Sequence, residues 1–154
     1  MIRHNNILVP TDFSEQSTES LRRAAVLAEK FDAEVHLLHV MDVAIYFETD
    51  MVSAAPIADT NQEHQTRALL QLKTQAENCG IEAVLHLEES TGGRARDICD
   101  FAKSLPADLI VIGRHEEKGV IQHMLLGATV ERVVAHAPCS VLVTMPHDLI
   151  EASG

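Results

Sequence analysis

The sequence predicts an α/β fold: a doubly wound, five-stranded parallel sheet covered by helices on both faces. Three observations carry this. Short apolar runs rich in β-branched residues recur along the chain. Between them lie longer stretches whose apolar residues return at helical spacing. The two kinds alternate in the order β-α-β-α-β-α-β-α-β, which calls for parallel strands joined by right-handed crossovers. The 154 residues fit one domain, residues 1–154, with one sizeable core. Aromatic residues make up only 3%, so that core must be built from Val, Ile, Leu and Ala.

Each element has its own signal. The first strand is Ile7–Pro10. Residues 14–31 read as a helix because Leu21, Ala24, Ala25, Leu27, Ala28 and Phe31 share one broad face, and Ser14 is a suitable N-cap. Val35–Val40, Leu109–Ile112 and Ser140–Val143 are further apolar runs; of the four, three read as strands buried on both faces. Residues 61–79 carry Ala68, Leu69, Leu72, Ala76 and Cys79 as a helical stripe, ended by Gly80 as C-cap. Glu82–Leu87 is more mixed and suits a strand near the sheet edge. Residues 94–104 carry Ala95, Ile98, Phe101 and Ala102, with Pro106 just beyond to stop the helix. Residues 127–136 form the last helix, followed by Pro138. His36 and His39 sit three apart in a strand, so they face opposite sides and make no metal pair.

Met41–Thr60 breaks the alternation. It carries Ile45, Tyr46, Phe47, Met51, Val52, Pro56 and Ile57 without clean periodicity. It reads as a loop packed over a helix, or as a lid over a ligand site or part of a dimer surface.

Charge and cysteines exclude several classes. The net charge is -11, the wrong sign for neutralising nucleic-acid phosphates, and Arg94 with Arg96 is the nearest approach to a basic cluster. The nine histidines make the chain less negative below about pH 6.5. Cys79, Cys99 and Cys139 are odd in number and lack C-x-x-C spacing, which suits a reducing cytoplasm better than a disulfide framework or a zinc site. No apolar run reaches about 18 residues, so no membrane span is expected. The segment Met1–Asn6 meets the first strand too soon for a signal peptide.

The most informative stretch is Gly113–Gly127. It joins the strand Asp108–Gly113 to the helix that begins near Thr129. A glycine-bounded loop between a buried strand and a helix N-terminus is where α/β proteins hold phosphates. Glu116 and Glu117 lie inside it, with Lys118 beside them.

Several blocks resemble the universal stress protein family of the UspA type. They are Ile7–Ser14, Leu38–Val40, Gly93–Ile98, Ala107–Gly113, Leu125–Val134 and Ala137–Val143, in the family's order over nearly the whole chain. The resemblance implies a Rossmann-like fold, similar to the adenine nucleotide alpha hydrolases. It also implies a homodimer through the last strand, Val141–Thr144. An apolar edge strand is a liability unless paired or covered, though the tail Met145–Gly154 could cover it within the monomer.

Nucleotide-binding members carry G-x-x-G-x9-G-[ST]. By that resemblance an adenine nucleotide, AMP or ATP with or without Mg²⁺, would meet Pro10, Thr11, Asp12, Val40, Gly113, His115, Gly127, Ala128 and Thr129. Asp12 would meet the ribose or adenine edge, and Val40 would pack on the base. On its own residues, Asp12-x-x-Glu15 also reads as a capping box, Val40 as core, and Gly93 as a left-handed turn beside Gly92. The phosphate loop departs from the pattern. Glu116 replaces the middle glycine, the interval to Gly127 is one residue too long, and Ala128 replaces the hydroxyl residue, leaving Thr129 to supply one. A carboxylate about 4 Å from a phosphate in a partly desolvated site costs several kcal/mol, unless Mg²⁺ bridges the two. His115 with Glu116 is too small a set for a metal site.

No H-x-G-H element, G-x-S-x-G elbow or P-loop is present, so no catalytic residue is assigned and an enzyme such as an ATPase ranks last. The leading expectation is a cytoplasmic homodimeric stress-response protein that binds AMP or ADP in preference to ATP. The alternative is a nucleotide-free dimer that acts on an unknown protein partner. Substituting Glu116→Gly is expected to strengthen ATP binding in titration calorimetry; unchanged affinity would refute the repulsion argument.

Overall fold

The structure, a computed structural model, describes residues 5–42, 57–114 and 127–145, with the backbone alone for 57–60. The elements alternate as expected: β1 (Asn6–Pro10), α1 (Glu15–Phe31), β2 (Glu34–Met41), α2 (Ile57–Asn78), β3 (Ala83–Glu89), α3 (Arg94–Ser104), β4 (Leu109–Gly113), α4 (Ala128–His136) and β5 (Ser140–Thr144). All five strands are parallel, in the order β3-β2-β1-β4-β5. The chain builds outward from β1 to β3, then crosses back to place β4 on the other side of β1. The strand order therefore reverses between β1 and β4.

Period-two alternation in the strands sorts the core into two layers. Ile7, Val9, Val35, Leu37 and Val111 pack against Leu21 and Ala24 of α1 and Leu72 and Ala76 of α2. Leu8, Leu38, Val40, Ile110 and Ile112 face the other way, against Ile98 and Ala102 of α3 and Val130 and Val133 of α4. Ile7, Leu8, Leu21, Leu37, Leu72 and Ile110 are wholly buried, and each contributes about 1.5–3 kcal/mol by leaving water. β1, β2 and β4 are thus the strands covered on both faces. β3 and β5 are the edges and are only partly buried.

Caps set the helix ends. Ser14 caps α1, its Oγ accepting from the Ser17 amide at 3.3 Å. Asp12 is therefore not the N-cap: its carboxylate accepts the amide two residues on, that of Ser14, at 3.0 Å, so no capping box forms with Glu15. Asp32 ends α1 in a left-handed conformation, φ 53°, which an aspartate tolerates better than most residues. Gly80 follows α2 at φ 64°, as expected of a C-cap glycine. Gly93 does have positive φ, 97°, but ψ 146° puts it outside the left-handed helical region expected for it. Asp97, in the first turn of α3, gathers the preceding loop by accepting from Ser90 Oγ at 2.8 Å and the Thr91 and Gly92 amides at 3.2 and 3.3 Å.

Three boundaries or faces differ from expectation. α2 begins at Ile57 rather than residue 61, so part of the segment 41–60 is helical; its residues 43–56 lie outside the described ones. Leu69 is 47% exposed because it lies one residue, about 100° of helical rotation, from Ala68 at the border of a narrow buried face. Phe31 is 45% exposed because it closes α1 beyond Ala28, the last side chain of that helix to be buried.

The two strand histidines do face opposite sides. His36, buried on the α3 side, meets a histidine from the edge strand: its Nδ1 lies 2.9 Å from His86 Nε2. Asn6 Oδ1 and Glu34 Oε1 lie 3.3 and 3.0 Å from His36 Nε2. The His86 ring also contacts Phe101, centroids 4.8 Å apart. One proton between the facing nitrogens makes a hydrogen bond; a proton on each would destroy it. Burial, and then the neighbouring His36, lower the pKa of His86, while Glu34 opposes them. His86 therefore adds stability above its unfolded pKa of about 6.5 that is lost as pH falls through the lower folded value. Urea denaturation should show stability declining as pH falls below about 6.5, and His86→Gln should lessen that decline. An equally steep decline in the variant would remove the pair as its cause.

Candidate functional site

The carboxyl ends of β1, β2 and β4 and the first turns of α1, α3 and α4 surround a cleft of about 600 Å³, counting its open mouth. Leu38, Val40, Ile98, Ile112 and Val130 give it apolar walls, and Thr11, Asp12, Ser14, Ser17, His39, Arg94 and Thr129 supply polar groups. The cleft lies at the reversal of strand order, where parallel α/β sheets gather ligands.

The loop Thr11–Ser14 and the first turn of α1 form one side. Thr11 extends the ladder by one amide, donating to Leu38 O at 2.8 Å, before the chain leaves the sheet. Asp12 accepts from both the amide and the hydroxyl of Ser14, an Asx turn that aims the chain into α1. Phe13 is held at φ 66°, a region that bulky residues rarely adopt. Its amide donates to Thr11 Oγ1 at 3.0 Å, and its ring lies against His39, centroids 4.4 Å apart. His39 Nδ1 donates to Thr11 O at 2.8 Å, which leaves Nε2 with its lone pair in the neutral ring. Burial lowers the His39 pKa and Arg94 adds to this, against the Thr11 hydrogen bond and Asp12. The imidazole is neutral near pH 7.

Two glycine-opened helices form the rest of the rim. Gly93 and Gly127 precede α3 and α4 with nearly the same backbone, φ 97° and ψ 146° against φ 96° and ψ 144°, and neither end has a side-chain cap. The first amides of such helices lack intrahelical partners and favour anions. Arg94, the first residue of α3, lines the cleft and forms no salt bridge among the described residues.

Comparison with known proteins decides the family. The universal stress protein family model matches residues 4–144. The chain belongs to the universal stress protein family. Universal stress protein MJ0531 of Methanocaldococcus jannaschii is 36% identical over 141 residues, which is 91% of this chain and 81% of its own. The solved UspA of Lactobacillus plantarum is 27% identical, with a TM-score of 0.64 over 93% of this chain and 99% of that one. A universal stress protein solved in complex with cAMP superposes with a TM-score of 0.66 over 94% of this chain and 98% of its own. At 16% identity, that last likeness is one of fold alone.

In this universal stress protein Pro10, Thr11, Asp12, Val40, Gly113 and Thr129 come together in one cleft. Gly127 and Ala128 directly precede Thr129 but are not among the lining residues. His115, Glu116, Glu117 and the rest of 115–126 lie outside the described residues. Arg94 and His39 escaped sequence reasoning as site residues. The signal for Arg94 was its place directly after Gly93 at a helix start, and for His39 its place beside Val40 at the carboxyl end of β2. Among the described residues no group of three or more His, Cys, Asp or Glu is arranged to hold a metal.

Gly113 has a different physical reason for being glycine than a phosphate loop would give. A Cβ there would lie 2.8 Å from Gln16 O and 3.0 Å from Ser20 Oγ, so the absent side chain is what lets α1 approach β4. Ser20 Oγ is itself tied to Thr144 Oγ1 at 2.7 Å, which joins α1 to the edge strand. Gly113→Ala should cost about 1–3 kcal/mol by overpacking, read as a lowered urea midpoint. An unchanged midpoint would show that α1 shifts freely and that the close approach is not required.

Proposed function

We propose that this universal stress protein is a cytoplasmic, homodimeric stress-response protein whose cleft binds an adenine nucleotide, AMP or ADP in preference to ATP. The observation that carries the reading is the meeting of Asp12, apolar walls and Arg94 at the reversal of strand order, beside a glycine-opened helix. Apolar walls suit a planar base, a carboxylate suits ribose hydroxyls, and a cation with helix amides suits phosphate. The relative solved with cAMP supports an adenine nucleotide as the ligand class in this fold. Preference for fewer phosphates follows from Glu116 and Glu117, which share the charge of a polyphosphate. Mg²⁺, where present, would act by bridging those carboxylates to phosphate.

The dimer reading rests on β5, an edge strand with Leu142 39% exposed; Val134 of α4 and Met145 are exposed as well, at 48% and 40%. Among the described residues no helix is long and apolar enough to cross a membrane. A second reading, a nucleotide-free dimer that contacts protein partners, is favoured by Ala128, which removes a hydroxyl where nucleotide-binding relatives are expected to have one.

Mass analysis of small molecules released from the purified protein separates the two. Adenine nucleotide in the released fraction supports the first reading. Titration calorimetry with AMP, ADP and ATP, each with and without Mg²⁺, then sets the preference; no heat at millimolar concentration with any of them would refute nucleotide binding. Asp12→Ala should weaken AMP binding roughly tenfold, on the order of 1.4 kcal/mol. Affinity equal to that of the parent would remove Asp12 from the site.

A further inference from the structure

One polar side chain of α2 reaches the cleft loop from outside it. Gln75 lies on the same narrow face as Ala68, Leu72 and Ala76, yet it is an amide buried to 8% exposure. Its Oε1 lies 2.7 Å from Thr11 Oγ1, and its Nε2 lies 3.0 Å from Thr18 Oγ1 and 3.3 Å from Ser17 Oγ. Thr11 and Ser17 are themselves buried, at 6% and 5% exposure.

Proton counting gives these contacts a direction. Two acceptors lie within reach of the Thr11 hydroxyl, the Gln75 carbonyl at 2.7 Å and Ser17 Oγ at 2.9 Å. The Ser17 proton itself goes to Ser14 O, and the nearer, carbonyl acceptor takes the single proton of Thr11. The lone pairs of Thr11 Oγ1 are then turned towards the Phe13 amide, which donates at 3.0 Å. That bond lies across the left-handed turn at Phe13, whose ring in turn rests on His39. Thr11, Asp12 and His39 all line the cleft, while Gln75 does not.

We propose that Gln75 is a positioning residue: it fixes the Thr11 hydroxyl, holds Phe13 in its left-handed conformation, and so gives the Thr11–Ser17 side of the cleft its binding shape from a different helix. The ligand part of this inference rests on the nucleotide reading above; the loop part does not. Replacing the amide by an apolar chain of similar length removes the acceptor for the Thr11 proton and both donors to Ser17 and Thr18. The Thr11 hydroxyl is then held by Ser17 Oγ alone, and its grip on the Phe13 amide loosens.

The test compares Gln75→Met with Ala76→Gly. The control changes the adjacent position of the same helix and removes no polar group. Two quantities are read in each variant and in the parent: amide hydrogen exchange resolved by residue, and AMP affinity by calorimetry. Global stability from urea denaturation is used to correct the exchange rates. In Gln75→Met the Phe13 amide should exchange at least about tenfold faster than in the control, and AMP should bind about tenfold more weakly. Ala76→Gly should leave both near the parent values after correction. If Phe13 exchange in Gln75→Met is no faster than in the control, the positioning role is overturned and Gln75 merely fills space. If the parent binds no adenine nucleotide, the proposed function fails alone, and exchange at Phe13 still decides the role of Gln75.

Discussion

Burial of β1 on both faces fixes where the rest of the chain can go. Ile7 and Val9 need cover on one side and Leu8 on the other, and all three are wholly buried. A strand so placed must have neighbours on both edges as well, and β2 and β4 provide them. Parallel pairing then obliges each connection to return across a face as a helix. With every strand pointing the same way, the helices all begin at the same rim of the sheet. The cleft is a consequence: it is the gap left where the chain changes sides at that rim.

Polar groups at the rim face the opposite problem. Thr11, Ser17 and Gln75 are as buried as much of the core, but each has hydrogen-bonding atoms that water no longer serves. Their mutual bonds satisfy them within a network spanning two helices and a loop. The same network holds Phe13 in a backbone conformation that costs about 1–3 kcal/mol. Strain at the edge of a cleft persists only where the surroundings over-determine it, and here a residue more than sixty positions away takes part.

Much of this arrangement is legible in the sequence. The strands, the Ser14 cap and the Gly80 turn depend on local pattern, and local pattern is what a sequence displays; Pro10, Thr11, Asp12 and Val40 as site residues depend on the family resemblance. Gln75 was visible as a polar residue on an otherwise apolar stripe, but its partners at Thr11 and Ser17 are set by packing between helices. The pairing of His36 with His86 depends on the register of β2 and β3. Gly113 adds a second reason that only packing reveals: a glycine at a strand end suggests ligand approach, and it does line the cleft, but a Cβ there would also meet a backbone carbonyl of α1. Asp12 looked like a cap because the spacing allowed it; the choice between bonding two or three residues ahead is made by the turn at Phe13.

The two borders of the sheet are chemically unlike. β5 presents Leu142 and β3 presents Val84, equally exposed, but β3 ends in the exposed Glu88 and Glu89, the latter also accepting from Asn61 and Gln65 of α2. Two apolar borders would let one molecule's right side adhere to the next one's left, and a head-to-tail stack has no natural end. Carboxylates at the end of one border oppose that route to fibres. A contact through β5 alone would join like to like, and such a contact closes after two copies.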